Sequence, residues 1–249
     1  MDETVTAVAD ALREADVAAA FTGAGVSTAS GVPPFRGEDG VWETEFDPAD
    51  FQYGRFRRDP AGFWDDRLDL HETLFAADPE PNAAHEALAD LEAAGYLDGV
   101  ATQNTDGLHA AAGSEHVLEL HGTSRRVACE DCGRRGDAAP VRDRVRDGEV
   151  PPRCDCGGLL KPDVVLFGER LPTATFDEAR TLARESDVFL AAGSSLVVEP
   201  AASLPKTAAA DGRLVIVNLE PTPHSERADA DVRADVTDFL PAVAGELDA

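Results

Sequence analysis

The fold class is decided by the stretch Val17-Ala18-Ala19-Ala20-Phe21-Thr22-Gly23-Ala24-Gly25-Val26-Ser27. Its first half, residues 17–21, is a short apolar run of the kind that forms a buried β-strand. Gly23 and Gly25 follow, and residues this small let the backbone turn tightly and approach a pyrophosphate at a helix N-terminus. The stretch therefore predicts a strand, a tight turn and a short helix that bind a nucleotide phosphate.

Strands and helices alternate along most of the remaining chain. Apolar runs predict strands near Val100 and Val117 and over residues 164–167, 188–191 and 214–217. Helical periodicity predicts helices over residues 4–15, 60–75, 83–95 (capped by Asn82), 176–185, 200–210 and 236–247. This alternation predicts the α/β class, with a Rossmann-like parallel sheet that is covered by helices on both faces.

Residues 125–162 interrupt the alternation and contain all four cysteines. Cys129 and Cys132 form one close pair, and Cys154 and Cys156 form a second. Four thiolates in two pairs suit one tetrahedral, structural zinc ion. Disulfides and unrelated buried thiols are the alternatives, and a reducing cytoplasm disfavours the disulfides.

The predicted elements divide the chain into two domains. We expect residues 1–32, 82–122 and 163–249 to form the Rossmann-like domain. We expect residues 33–81 and 123–162 to form a smaller, inserted domain with a helical part and a zinc module.

The composition is strongly acidic. The 249 residues carry a formal net charge of −26, from 48 acidic and 22 basic residues. Because the acids are spread along the chain, a solvated surface suited to concentrated salt is favoured over a dedicated basic partner. Nucleic-acid binding through a basic surface is disfavoured. No apolar run approaches the ~18 residues of a membrane span. The acidic N-terminus argues against a secretory signal, so we expect a cytoplasmic protein.

A second informative run, Thr102-Gln103-Asn104-Thr105-Asp106-Gly107-Leu108-His109, follows the strand predicted near Val100. It places two side-chain amides and a carboxylate close together, which suits a carboxamide and a ribose. His121 ends the strand predicted near Val117, and a histidine there can act as a base near neutral pH. The alternative is a histidine that only donates or accepts a hydrogen bond.

Together, these segments resemble the sirtuin family of NAD-dependent protein-lysine deacylases. The resemblance covers residues 17–236 and rests on ordered motifs. These are Gly-Ala-Gly-x-Ser at 23–27, residues 30–37, Thr-Gln-Asn-x-Asp-x-Leu-His at 102–109, His-Gly at 121–122, the cysteine pairs, and residues 161–169, 193–198 and 218–220. A Gly-x-Gly-x-x-Gly motif is absent, which disfavours a hydride-transferring dehydrogenase.

The resemblance implies that NAD is bound and consumed. The matching cofactor positions are Gly23, Ala24, Gly25 and Ser27 around phosphate and ribose, Phe35, Arg36 and Trp42 in a closing loop, Gln103 at a ribose, Asn104 and Asp106 at the nicotinamide, Gly193, Ser194 and Ser195 at a second phosphate, Asn218 and Glu220 at the adenosine ribose, and Val236 at the adenine. Core packing is the alternative role for Trp42, and helix capping is the alternative for the two serines.

The implied reaction moves the acyl group of an acyl-lysine protein substrate to ADP-ribose and releases nicotinamide. His121 and Asn104 are the implied catalytic residues, and His121 helps to deprotonate a ribose hydroxyl. The zinc ion is structural in this family. The Cys154-x-Cys156 pair is one residue shorter than the family's usual Cys-x-x-Cys.

The implied substrate contacts are Val164, Phe167, Gly168 and Val197, with the first two lining a tunnel for the lysine stem. Deacetylases of the family commonly have Asp where this chain has Pro34.

Members that remove acidic acyl groups carry Tyr-x-x-Arg in the next helix, where this chain has Trp64 and Arg67. The sequence thus leaves open a deacetylase, a desuccinylase or demalonylase in which Arg67 holds the acyl carboxylate, and a structural Arg67 that pairs with Glu72. A protein ADP-ribosyltransferase and a non-catalytic NAD-binding module are the remaining alternatives. The oligomeric state cannot be read from the sequence.

Overall fold

The computed structural model describes residues 2–37 and 40–249. In chain order its helices and strands are α1 Asp2–Glu14, β1 Ala18–Thr22, α2 Val41–Thr44, α3 Tyr53–Arg58, α4 Pro60–Leu74, α5 Ala83–Ala93, β2 Gly99–Thr102, α6 Leu108–Ala112, β3 Val117–Glu119, β4 Gly122–Cys129, β5 Arg135–Asp137, α7 Ala138–Arg146, β6 Leu160–Val164, α8 Thr173–Glu185, β7 Val188–Ala192, α9 Leu204–Ala208, β8 Arg213–Val217, β9 Ala230–Val232 and α10 Val236–Glu246. Within these residues, no helix is long and apolar enough to cross a membrane.

Six parallel strands form the main sheet, in the order β3-β2-β1-β7-β8-β9. This confirms the predicted parallel α/β class. β2 and β3 lie in turn on one side of β1, and β7, β8 and β9 lie in turn on its other side. The order therefore reverses between β1 and β7, and ligands of such sheets bind outside the carboxyl ends of the strands at this point.

Both faces of the main sheet are buried, which explains why its strands are continuous apolar runs. Along β1, Ala18 and Ala20 pack in one core, and Ala19 and Phe21 pack in the opposite core, as a period of two requires. Residues of α1, α5 and α10 complete the first core, and residues of α8 and α9 complete the second. The predicted helices on both faces are thus confirmed.

A smaller antiparallel sheet, in the order β5-β4-β6, lies outside the main sheet. It shares a third core with α3, α4 and α7, in which Phe56, Phe63 and Trp64 are fully buried. This separate core supports the predicted division into two domains, whose boundaries stay a prediction.

The strand predicted over residues 164–167 is wrong in position and in sheet. β6 spans Leu160–Val164 and pairs with β4, with Cys129 opposite Leu160 and Val127 opposite Pro162. Antiparallel pairing to β4 determines this strand, although Lys161-Pro162-Asp163 does not have the apolar pattern of a buried strand. The short strands β5 and β9 and helix α7 were not predicted.

Candidate functional site

Three glycines pack the ends of β1 and β7 against each other at the point where the strand order reverses. The Gly25 amide donates to the Gly193 carbonyl oxygen at 2.8 Å. A Cβ on Gly25 would lie 2.8 Å from that oxygen, and a Cβ on Gly23 would lie 2.9 Å from the side chain of Ser194. Gly193 has a φ of +58°, which favours glycine. These three glycines, called the glycine floor below, let the two strand ends approach closely; Gly25 is exposed there, while Gly23 and Gly193 are buried.

Ser27 links the two informative runs of the sequence. Its hydroxyl donates to Asp106 Oδ2 at 2.8 Å and accepts from Asn104 Nδ2 at 3.0 Å. Asn104 Nδ2 also donates to the Gly23 carbonyl oxygen at 3.0 Å, and Asp106 Oδ1 accepts from the Leu108 amide at 2.9 Å. Ser27, Asn104 and Asp106 are only 1%, 5% and 7% exposed, so these bonds fix their side chains in place.

Behind Ser27 lies a buried pair of histidines whose contacts the sequence did not reveal. His85 Nε2 lies 3.3 Å from Ser27 Oγ, and the second histidine, His109, contacts Thr22 Oγ1 at 2.8 Å. Burial lowers the pKa of His85 to about 4 and that of His109 to about 3, so both rings are neutral at pH 7. The only sequence signal is the position of His85 three residues after the helix cap Asn82, where its Nδ1 accepts the Asn82 amide.

His121 lies in the turn between β3 and β4, at the carboxyl edge of the main sheet. Its Nδ1 is 3.0 Å from the Gln103 carbonyl oxygen, and its own carbonyl oxygen accepts from the Val165 amide at 2.9 Å. Since a carbonyl oxygen only accepts, Nδ1 carries the proton of the neutral ring and Nε2 keeps a free lone pair. Burial lowers the pKa of His121 below 6.5, against a smaller opposing effect of the Gln103 carbonyl. At pH 7 the ring is therefore a neutral base.

Gln103 also contacts the end of β7. Ser194 Oγ donates to Gln103 Oε1 at 3.0 Å and accepts the Leu196 amide at 3.3 Å, so Ser194 helps to order its own loop. Ser195 is exposed beside it. The residues predicted for the two phosphate contacts thus lie at neighbouring strand ends.

The residues predicted for the adenosine end lie beyond β8 and β9. Asn218 Nδ2 donates to the Glu220 carbonyl oxygen at 2.8 Å, while the Glu220 side chain is exposed. Val236 is the first residue of α10 and only 5% exposed in the core. Its side chain packs inside the protein, and its predicted contact with the adenine stays a prediction.

An aromatic cluster closes the opposite side of the site. The rings of Phe35 and Trp42 stack with centroids 5.5 Å apart, and Trp42 also contacts Phe51 at 5.2 Å and Phe167 at 5.8 Å. This supports the packing role of Trp42, while its cofactor contact stays a prediction. Arg36 is exposed on the same loop.

The predicted substrate residues flank this cluster. Phe167 is 37% exposed and Val197 is 54% exposed, both high for apolar side chains. Val164, by contrast, is buried at the end of β6. Lys161 Nζ donates to Glu169 Oε2 at 2.9 Å and to the Val164 carbonyl oxygen at 2.7 Å, which holds the segment around Gly168 against β6.

Trp64 and Arg67 both form hydrogen bonds within the protein. Trp64 is buried, and its Nε1 donates to the Leu160 carbonyl oxygen at 2.9 Å. Arg67 donates to Ser124 Oγ at 3.0 Å. The predicted pair of Arg67 with Glu72 is wrong, because Glu72 pairs with Arg146 at 2.9 Å on the protein surface.

The four cysteines converge at the edge of the small sheet. Cys129 Sγ lies 3.5 Å from Cys156 Sγ, Cys132 Sγ lies 3.8 Å from Cys154 Sγ, and all four sulfurs are within 4.8 Å of one another. Tetrahedral zinc, with Zn–S bonds of about 2.3 Å, requires sulfurs about 3.8 Å apart. The shortened second pair still fits, because Gly157, at a φ of +89°, turns the chain back directly after it.

The thiol chemistry of the cluster also fits a zinc site. Backbone N–H groups of Cys132 and Asp131 lower the pKa of Cys129 to about 7, which favours a thiolate there. Against the lowering effect of the Gly158 backbone, the neighbouring thiols raise the pKa of Cys156 to about 12, so a bound cation is needed to deprotonate all four thiols. The arrangement fits one structural zinc ion with four protein ligands, as the sequence predicts.

Comparison with known proteins identifies the family. The Sir2 family profile matches residues 23–200. This chain belongs to the Sir2 family. It is 60% identical over 248 residues to the NAD-dependent protein deacetylase of Haloarcula marismortui, which covers 98% of this chain and 95% of that protein. It is 42% identical over 250 residues to the NAD-dependent protein deacylase 2 of Archaeoglobus fulgidus, covering 99% of this chain and 97% of that protein.

Solved structures of Sir2 enzymes have the same fold. One contains a deacetylated p53 peptide and 3′-O-acetyl ADP-ribose; it has a TM-score of 0.89 and 36% identity over 97% of this chain and 98% of that one. Another contains a p53 peptide and NAD, with a TM-score of 0.86 and 36% identity over 96% and 97%. Sir2Af2 with a myristoylated histone peptide has a TM-score of 0.79 and 38% identity over 99% and 97%.

These relatives do not favour the desuccinylase or demalonylase alternative, because their names specify deacetylases and deacylases. The side chains of this Sir2-family chain agree: the Trp64 N–H is already bonded to the Leu160 carbonyl oxygen, and Arg67 is bonded to Ser124. The roles of individual cofactor and substrate residues stay predictions.

Proposed function

We propose that this Sir2-family chain is an NAD-dependent protein-lysine deacetylase, with His121 as the catalytic base. The observation that carries the proposal is the His121 ring, whose Nδ1 is held 3.0 Å from the Gln103 carbonyl oxygen beside the paired ends of β1 and β2. The ring is neutral at pH 7, and its free Nε2 can accept a proton.

The residues at the strand ends fit NAD. At Gly23, Gly25 and Gly193 the ends of β1 and β7 approach so closely that a Cβ would clash, and the exposed backbone of Gly25 suits a pyrophosphate. Asn104 and Asp106 add an amide and a carboxylate that suit a carboxamide and ribose hydroxyls. NAD, when bound, supplies an ADP-ribosyl group that takes over the acyl group as nicotinamide leaves.

The protein side of the reaction consists of orientation and proton transfer. Ser27 holds Asn104 and Asp106 in one arrangement before any substrate arrives, so their alignment costs little during the reaction. His121 Nε2 takes the proton of a ribose hydroxyl, while the Gln103 carbonyl oxygen stabilises the imidazolium that forms. We propose that Phe35 closes over the ribose and keeps water out.

Acyl-lysine proteins are the substrates that fit the open side of the site. Sir2 structures hold p53 and histone peptides. We propose that an extended peptide pairs with the backbone around Gly168 and Val197, and that its lysine stem passes Val164 and Phe167. The four thiols suit the reducing cytoplasm, where we propose that the protein works, and nucleic acid is not an expected partner.

The test is nicotinamide release with NAD and an acetyl-lysine peptide in concentrated salt. His121→Ala should lower the turnover number by about 10²–10⁴-fold. The matched control is His116→Ala, which removes an exposed histidine that contacts Glu178 and should keep full turnover. Full turnover by His121→Ala would refute the proposed base. Transfer of labelled ADP-ribose to protein, without deacylated peptide, would instead establish an ADP-ribosyltransferase.

A further inference from the structure

Two arginines from different helices converge on one residue of the small sheet. Arg67 of α4 donates to Ser124 Oγ at 3.0 Å, and Arg142 of α7 donates to the Ser124 carbonyl oxygen at 3.3 Å. Across residues 2–37 and 40–249, neither guanidinium forms an ion pair, although the chain has 48 acidic residues. Many of its other arginines do form such pairs.

The neighbouring side chains neutralise this pair only in part: the charges of Asp137 and Asp143 favour the charged form of Arg142, but in the described residues neither carboxylate forms an ion pair with it. Burial and the charge of Arg142 lower the pKa of Arg67 to about 10, so Arg67 stays positive at pH 7. His71 is close by, but burial lowers its pKa to about 3 and it is neutral. Arg146, next on α7, directs its charge to Glu72. Two partly buried positive charges side by side are costly unless a negative charge balances them.

Arg67 and Arg142 line a small cavity together with His71, Ser124 and Val127. Its volume of about 10 Å³ is at the lower limit for a single water molecule, and the cavity is partly open to solvent. A particle that balances the two guanidinium groups must be negative, and it must be small enough for this space. A halide is the smallest of the common anions, whereas a carboxylate would enter only with its carbon chain directed towards solvent.

We propose that a single halide ion, chloride in the natural setting, binds in this cavity between Arg67 and Arg142. The guanidinium N–H groups supply its hydrogen bonds, and the ion replaces the carboxylate that the pair lacks. The ion joins α4, α7 and β4 at one point.

The ion also stabilises residues 104–106, the part of the chain that contains the proposed catalytic residue Asn104. The Ser124 amide donates to the Thr105 carbonyl oxygen at 2.8 Å, and the two hydroxyls lie 3.0 Å apart. Thr105 stands between Asn104 and Asp106. A halide that orders Arg67 and Arg142 at Ser124 therefore also stabilises the contact of β4 with residues 104–106.

The test uses the full chain and has two readouts besides activity. Crystals soaked in potassium bromide are measured at the bromine absorption edge, where an anomalous peak is expected next to both guanidinium groups. Melting temperatures are compared in potassium chloride and in potassium glutamate of equal ionic strength, because glutamate supplies the same cation with a much bulkier anion. Chloride should shift the melting temperature of the native chain upward relative to glutamate, by about 2–4 °C more than in Arg67→Met or Arg142→Met.

Arg146→Met is the matched control, since it removes one positive charge from the same helix but leaves the cavity intact. It should keep the native chloride response. No bromide peak in the native crystals, or the same anion response in all four proteins, would overturn the proposal. A loss in Arg67→Met of succinyl-lysine turnover alone, with an unchanged chloride response, would overturn it in favour of an acyl-carboxylate contact. If Arg67→Met does not fold, the bromide peak in the native crystals and the chloride response of Arg142→Met still test the proposal.

Discussion

The two halves of the active site are built differently. The half that we propose binds the nucleotide (the nucleotide half) contains Ser27, Asn104, Asp106 and Gly193, which are buried, and Ser27 is hydrogen-bonded to Asn104 and Asp106. In the acyl-lysine half, Phe167 and Val197 are exposed. A preformed polar half binds its ligand with little ordering cost, whereas an open apolar half gains its burial only when a peptide covers it. The difference suggests that NAD recognition is fixed by the fold and that peptide recognition is completed by the substrate.

The largest effect should come from the zinc site, and it should separate the two halves. Cys132→Ser removes one of four clustered thiols. Because structural zinc stabilises such modules by about 10 kcal/mol or more, the small domain should unfold and deacetylation should be lost. ADP-ribose binding to the Rossmann-like domain, measured by calorimetry together with zinc content, should persist.

The control for this variant is Asp155→Ser, which changes an exposed residue between two of the cysteines and should keep both zinc and turnover. If Cys132→Ser loses ADP-ribose binding together with zinc, the two halves are not independent.

A smaller effect is expected from the glycine floor of the nucleotide half. In Gly193→Ala the new Cβ would lie 2.4 Å from the Val26 amide nitrogen, at a φ of +58°. NAD affinity should fall at least about 10-fold, a change of about 1.4 kcal/mol. Gly245→Ala is the control, because it lies in α10 with open space around it and should leave NAD affinity unchanged. An unchanged affinity in Gly193→Ala would show that the floor is not rigid.

The smallest effect is expected in the acyl-lysine half. Phe167→Ala removes a ring that a bound lysine stem would bury, so the KM for an acetyl-lysine peptide should rise by up to about 10-fold. The dissociation constant for NAD should not change. Leu219→Ala is the control for the peptide constant, since it removes another exposed apolar side chain between Asn218 and Glu220, at the proposed adenosine end, and should leave the KM for the peptide unchanged. Equal changes in the NAD and peptide constants would contradict the separation of the halves.

Sequence reasoning predicted the nucleotide half better than the small domain. β1, β2 and β7 were predicted because buried parallel strands are short apolar runs, and their loop residues follow directly in sequence. The position of β6 was wrong because antiparallel pairing with β4, and not an apolar sequence pattern, makes residues 160–164 a strand. Helix α7 was missed because its Arg-rich sequence has only a narrow apolar face.

Contacts between residues far apart in the chain were also not predicted from the sequence. The bond from His85 to Ser27 joins residues 58 positions apart, and the bond from Arg67 to Ser124 joins residues 57 apart. No local pattern encodes such pairs, so sequence reasoning did not connect His85 with Ser27 and offered only the nearby Glu72 as a structural partner of Arg67. The cysteine cluster was predictable because two close pairs of cysteines are typical of a structural zinc site.

The pH profile of kcat/KM for an acetyl-lysine peptide tests the role of His121 most directly. Burial lowers the pKa of His121 below 6.5, and only the neutral ring accepts a proton. The acid limb of the profile should therefore have its midpoint below pH 6.5, and this limb should disappear from the residual activity of His121→Ala. A decline centred above pH 7, or an acid limb that persists in His121→Ala, would contradict the account.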